Sequence, residues 1–131
     1  MPEQPYFYEY LTGSEFLGLC GRLNGMGREE IRRRSGEMLE RVGLPEAGNT
    51  AIRKYSKGMM QRLGIAQALL HDPELVILDE PMSGLDPMGR MDIRGIIREL
   101  KSRVRTVFFS SHIISAVETL CDRVILLDRG R

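Results

Sequence analysis

Four apolar residues, Leu75-Val76-Ile77-Leu78, run straight into two adjacent carboxylates, Asp79 and Glu80, and a second acidic turn, Ser83-Gly84-Leu85-Asp86-Pro87, follows closely. A Leu and β-branched run reads as a strand buried on both faces, and the carboxyl end of such a strand is where an open α/β sheet places its ligand chemistry. Two acids at that point suggest a metal ligand and a base. Because side chains alternate along a strand, Glu80 should point away from Asp79 toward the next loop.

Two further segments carry polar groups at the ends of elements. Ser56-Lys57-Gly58-Met59 opens a helix. A helix N-terminus offers free N–H groups and partial positive charge, Gly58 permits close backbone approach, and Lys57 adds a cation. Ser56 also reads simply as the N-cap. The second segment is Ser110-Ser111-His112, at the end of another apolar run. Taken alone, His112 reads more often as an ordinary hydrogen-bonded histidine than as a catalytic one. His71 follows a helix and is assigned no role.

The elements that position these groups follow from periodicity. Thr12 and Glu15 form a capping box, Leu11 and Phe16 a hydrophobic staple, and Phe16, Leu17, Cys20 and Leu23 one apolar face of a first helix. A second helix turns Ile31, Met38, Leu39 and Val42 inward. Its other side carries Glu29/Arg33, Glu30/Arg34 and Glu37/Arg41 at i,i+4, each pair worth about 0.2–0.5 kcal/mol, which reads as a solvated face. Pro45 and Gly48 make a turn. A third helix from Ser56 buries Met59, Leu63, Ala66 and Leu70. Strands are expected at Leu75–Asp79, Thr106–Ser110 and Val124–Asp128. Between the first two, Asp86 caps a helix with Pro87 at its first position and Ile93, Ile96, Ile97 and Leu100 facing the sheet, in right-handed crossovers.

Composition fits an α/β unit of one domain or less: 131 residues, 42% hydrophobic, 28% charged, net charge +1. That balance gives no electrostatic case for nucleic acid, whose binders carry a basic stripe. Nothing approaches the roughly 18 apolar residues that cross a bilayer, and Met1-Pro2-Glu3-Gln4-Pro5 has no signal-peptide pattern, so a membrane role is expected to come through a partner. Cys20 and Cys121 lack metal-like spacing and read as buried reduced thiols, which suits cytoplasm.

In order and spacing, Tyr55-Ser56-Lys57-Gly58-Met59, the strand ending in Asp79-Glu80, Ser83-Gly84-Leu85-Asp86 and His112 resemble the signature motif, Walker B strand, D-loop and H-loop of the ATP-binding-cassette (ABC) ATPases. The resemblance spans essentially the whole chain. It implies a partial P-loop NTPase fold, divided into a Q-loop segment (1–12), an α-helical subdomain (13–54), and the signature helix with part of the ATPase core (55–131). The family's Gly-Lys-Ser/Thr phosphate loop and adenine-stacking aromatic, which precede the Q-loop, do not occur in this sequence. It therefore looks like the C-terminal portion of a nucleotide-binding domain. Its signature differs from the common Leu-Ser-Gly-Gly-Gln and is similar to that of cassettes serving multisubunit exporters.

Residue by residue, the resemblance makes Asp79 a ligand of Mg²⁺ and Glu80 the residue that polarises the attacking water. It has His112 contact the γ-phosphate and hold the water–Glu80 pair. Ser56, Lys57, Gly58 and Met59 would bind ATP held by the opposite subunit, with Ser83, Gly84 and Asp86 as the D-loop. Glu3 falls where the family has its Q-loop Gln, with Gln4 one step on, and either can meet Mg²⁺ or water. Pro5-Tyr6-Phe7-Tyr8 would lie near the groove for the coupling helix of a transmembrane permease. Implied partners are a second nucleotide-binding domain, in a head-to-tail dimer, and permease subunits, with the chain on the cytoplasmic face of the membrane. The alternatives are a non-catalytic interaction module or gene remnant, because a chain without the phosphate loop lacks the cradle for the β- and γ-phosphates, and a soluble ABC ATPase outside transport.

Overall fold

A computed structural model describes residues 1–102 and 106–127. The expected capping box starts α1 (Gly13–Leu23): Thr12 Oγ1 accepts from the Glu15 amide at 3.2 Å and Glu15 Oε2 accepts from the Thr12 amide at 2.8 Å. This satisfies two of the orphan donors of the first turn. Phe16, Leu17 and Cys20 are buried as the periodicity predicts, but Leu23 lies 79% exposed. The buried stripe shifts onto Gly21, where a Cβ would sit 2.6 Å from Ile31 Cγ1. The helices approach over a bare backbone, and Leu23 is left outside the contact.

Helix α2 (Arg28–Arg41) buries Ile31, Met38 and Leu39, and Val42 caps its end. Its charged side departs from the expected i,i+4 pairs. Arg33 and Arg34 both reach Glu37, at 2.7 and 3.3 Å, and Arg41 meets Glu99 on a later helix at 3.6 Å. Arg34 also donates from Nε to Leu70 O and from Nη2 to Leu69 O, at 3.0 and 2.9 Å. These are carbonyls at the end of α3 (Lys57–Leu69), which have no partner within their own helix. These bonds take Arg34 off the solvated face and make it a structural contact between helices. Two short 3-10 turns, Ala47–Asn49 and Ile52–Lys54, connect α2 to α3. Helix α3 is apolar nearly all round and buries Leu63, Gly64, Ile65, Ala66 and Leu69, with Leu70 just beyond; Met59 is only half-buried.

Strands β1 (Leu75–Leu78) and β2 (Thr106–Phe109) pair in parallel, Leu75 opposite Thr106 and Leu78 opposite Phe109. They are joined through α4 (Pro87–Lys101), which Asp86 caps by accepting from the Gly89 amide at 2.9 Å, with Pro87 leading the helix. Ile93, Ile96, Ile97 and Leu100 are all buried, as expected. The expectation of a strand buried on both faces is overturned. Val76 and Leu78 enter the core, while Leu75, Ile77 and Phe108 are 52%, 53% and 54% exposed. Among the described residues, the helices gather on one side of the strand pair, and alternation turns the other side outward.

The last helix among the described residues is α5 (Ile114–Leu120). Val124–Leu127, the described part of the third expected strand, is exposed and has no ladder partner among the described residues, so it forms no strand; Asp128 lies outside them. A feature not anticipated is the fit of Met1 along β1. Its amino nitrogen donates to Ile77 O at 2.7 Å, and its carbonyl accepts from the Asp79 amide at 2.9 Å.

Candidate functional site

Strand pairing brings Asp79 and Ser110 side by side, each one residue past the last rung of its strand. The ladder continues as the Ser110 amide donates to Leu78 O at 3.0 Å. Ser110 Oγ then donates to Asp79 Oδ1 at 2.6 Å and accepts from the Glu80 amide at 2.8 Å. Glu80 adopts the left-handed backbone region, φ 44°, which a non-glycine residue holds only when its surroundings fix it. This conformation corrects the expected cause of divergence: Glu80 lies past the strand, and a left-handed turn re-aims it rather than strand alternation.

The Glu80 carboxylate meets His112, with Oε2 2.9 Å from Nδ1. Glu80 Oε2 is buried without a well-aligned hydrogen bond, so the contact is one of proximity and charge. His112 is 70% exposed in its side chain and presents its remaining edge to solvent. Strand-end acid, left-handed acid and imidazole thus converge from β1, its following turn and the loop after β2. Asp79 is exposed, with one carboxylate oxygen engaged by Ser110. That donor set fits Mg²⁺, which takes one or two carboxylates and retains waters. Among the described residues no cluster of three His, Cys, Asp or Glu could hold a metal through protein ligands alone.

The Q-loop candidates separate. Glu3 Oε1 accepts from Ser83 Oγ at 2.7 Å, and the Glu3 carbonyl accepts from Gln61 Nε2 at 2.8 Å. Glu3 therefore ties the turn after β1 to α3, while Gln4 is exposed. Gln61 is 2% exposed and its Oε1 has no partner.

At the start of α3, Ser56 Oγ accepts from the Met59 amide at 3.2 Å, confirming the N-cap. Lys57 lies across the turn at Gly84, where a Cβ would collide with Lys57 Nζ. Gly84 itself has φ 64°, so both backbone conformation and close approach call for glycine. The ammonium thus sits over the chain's own Ser83-Gly84 turn. Asp86 is engaged in capping α4. His71 is exposed, as an unassigned residue should be.

Phe7 of the aromatic segment is buried edge-on against Phe16, ring centroids 5.0 Å apart, and anchors Tyr6, Tyr8 and Tyr10, which are 91%, 61% and 84% exposed. A shallow open hollow lined by Leu11, Ser14, Glu15, Gly18, Leu19 and Arg22 runs along α1 and holds none of the strand-end acids. Cys20 is buried, which pushes its thiol up, while Cys121 is half-buried rather than buried. Among the described residues no helix is long and apolar enough to cross a membrane.

Sequence reading missed Ser110 and Gln61. Ser110 stands opposite Asp79 once the register is known, but the register of two short strands is not encoded in either alone. Gln61 is a polar residue inside an apolar helix, a signal that a buried partner is needed.

A model of the ABC transporter family matches residues 3–83. An uncharacterized ABC transporter ATP-binding protein of Synechocystis is 52% identical over 99% of this chain and 37% of its own length. The bacitracin transport ATP-binding protein BcrA of Bacillus licheniformis is 45% identical over 98% of this chain and 42% of its own. A solved ATP-binding subunit of an ABC transporter superposes with a TM-score of 0.82 at 35% identity, covering 99% of this chain and 54% of that one. The chain thus spans roughly two-fifths of the length of these curated relatives. With a parallel strand pair and helices on one side, it belongs to the ABC transporter ATP-binding family and has a partial P-loop ABC ATPase fold.

Proposed function

We propose that this chain supplies the signature, Walker B, D-loop and H-loop parts of an ATP-hydrolysing subunit of an ABC transporter. The observation that carries this reading is the convergence of Asp79, Glu80 and His112 at the ends of two parallel strands, with Glu80 and His112 2.9 Å apart. The chain is divided by role into the Q-loop segment 1–12, the helical subdomain 13–54, and the segment 55–131 that carries the chemistry.

Asp79, exposed at the end of β1, would hold Mg²⁺, which when bound would supply positive charge to the phosphates. Glu80 accepts a proton from water as the water oxygen bonds to the γ-phosphorus and the β,γ-bridging oxygen leaves with ADP. General-base assistance is worth about 10²–10⁴-fold in rate. His112 holds the Glu80 carboxylate from one side and offers its exposed edge to the γ-phosphate. Glu3, through Ser83, fixes the turn that follows these acids.

Ser56, Lys57, Gly58 and Met59 face ATP held by an opposed subunit in a head-to-tail dimer, with Ser83, Gly84 and Asp86 lining the shared contact. The lead N–H groups of α3 are suited to phosphate oxygens. The permease partner sits against the aromatic segment, where three exposed tyrosines are anchored by buried Phe7. In this reading the chain works at the cytoplasmic face of a membrane. The export direction is supported by the Tyr55-Ser56-Lys57-Gly58-Met59 signature, which is similar to that of cassettes serving multisubunit exporters.

The test joins this chain behind a half-domain from a family member that carries the Gly-Lys-Ser/Thr loop, and measures Mg²⁺-dependent ATP turnover. Hydrolysis should appear in the chimera and fall about 10²-fold or more in Glu80→Gln. The 131-residue chain alone should bind ATP weakly and turn it over negligibly; turnover that is insensitive to Glu80→Gln in the chimera would sink the reading.

A further inference from the structure

We propose that Ser110 is a positioning residue of the site, a single hydroxyl that locks the metal-side acid and the water-side acid into one geometry; this rests on the ATPase reading above. The Ser110 backbone is fixed first, because its amide continues the parallel ladder to Leu78 O at 3.0 Å. Its side chain then has a defined place from which to act. A serine hydroxyl has one donor and two acceptor positions. Here the donor goes to Asp79 Oδ1 at 2.6 Å and an acceptor position receives the Glu80 amide at 2.8 Å. The two acids are adjacent in sequence, yet their spatial relation is set by a residue on the neighbouring strand.

The backbone of Glu80 shows why such a lock is needed. At φ 44° Glu80 occupies a region unfavourable to a side-chain-bearing residue. Its amide is held by Ser110, and its carbonyl accepts from the Ser83 amide at 2.9 Å. Both peptide groups flanking the strained torsion are therefore pinned. In this conformation Glu80 Oε2 lies 2.9 Å from His112 Nδ1, and His112 is itself two residues past Ser110. Without the hydroxyl, the Glu80 amide has no acceptor, Asp79 loses its donor, and Glu80 can relax toward ordinary backbone angles that carry its carboxylate away from the imidazole. Ser110 touches neither substrate nor metal in this scheme; it acts through Asp79 and Glu80.

Ser110→Ala removes the hydroxyl and Ser110→Thr retains it. In the 131-residue chain, amide exchange at Glu80 should speed up about tenfold in Ser110→Ala and stay near the parent rate in Ser110→Thr, while the amide at position 110, held by the ladder, is unchanged. In the chimera, Ser110→Ala should lower kcat about 10²-fold, since small misplacements of reacting groups cost that much, with KM for Mg·ATP changed only about threefold. Ser110→Thr should restore kcat. Unchanged exchange at Glu80 in Ser110→Ala overturns the lock. Faster exchange with undiminished kcat overturns the positioning role while leaving the ATPase reading intact, provided Glu80→Gln still abolishes turnover. A parent chimera whose turnover ignores Glu80→Gln overturns the ATPase reading and the role built on it, a result distinct from the other two.

Discussion

The helical half and the strand-end half of this molecule reach different degrees of closure. Helices α1, α2 and α3 cover one another, leaving Leu17, Met38, Leu63 and Ile65 fully buried. Among the described residues the strand pair is covered on one face only, with Leu75, Ile77 and Phe108 about half exposed. The site sits at the boundary between them: Asp79 and Ser110 at the strand ends, and Glu3 and Lys57 reaching over from the α3 side. The contrast teaches that local stability and local chemistry are supplied by different parts. The helices give a rigid base, and the open strand ends give exposed functional groups.

If closure sets stability, a cavity in the helical half should have the largest effect. Leu63→Ala removes a side chain with no exposure at the centre of α3, and should destabilise by about 2–5 kcal/mol. Urea unfolding followed by circular dichroism checks this. A loss comparable to that of an exposed substitution would break the contrast, showing that the helices do not form the stable base.

A smaller effect is expected at the helix start, where the interaction is exposed. Thr12→Ala deletes the side chain that accepts from the Glu15 amide and should cost about 1 kcal/mol. The reciprocal bonds from Thr12, its backbone amide first, hold the Glu15 carboxyl below its ordinary 4.5. A lowered folded-state value means that the stabilisation is present at pH above 4.5 and is lost as pH falls through the folded value. The Glu37 carboxyl, lowered mainly by its hydrogen bond from Arg33, adds to the same acid limb. Thermal melts from pH 7 down to pH 3 should show the Thr12→Ala penalty shrinking as the box is protonated; a penalty constant across that range would remove Glu15 from the account.

Much of this organisation was legible in the residues themselves. Caps at Thr12, Ser56 and Asp86 were readable because a cap is a local event, decided by one side chain and an amide three positions on. The apolar faces of α2 and α4 were readable for the same reason, as periodicity is local. What escaped was decided across the chain. Leu23 is exposed because α2 crosses α1 at Gly21, Arg34 turns inward because distant carbonyls of α3 need donors, and Ile77 is exposed because coverage of a strand depends on what packs upon it. At the site, the residue types at Asp79, Glu80 and His112 could be read directly, whereas the left-handed turn at Glu80 and the bridging Ser110 depend on register between strands.

The smallest effect on stability belongs to the open face, and it sharpens the contrast most directly. Ile77 points outward from β1 while its neighbours Val76 and Leu78 point inward. Replacing it by Thr keeps the β-branched shape that suits a strand and removes one apolar contribution to the exposed face. Because Ile77 is already about half exposed, the change should move unfolding free energy by less than about 1 kcal/mol. It should nevertheless reduce self-association, since exposed apolar surface on an incompletely covered sheet promotes contacts between copies. Sedimentation at increasing protein concentration distinguishes the two consequences. A large loss of stability with unchanged association would mean that Ile77 is covered in solution, and that the two halves are closed to the same degree after all.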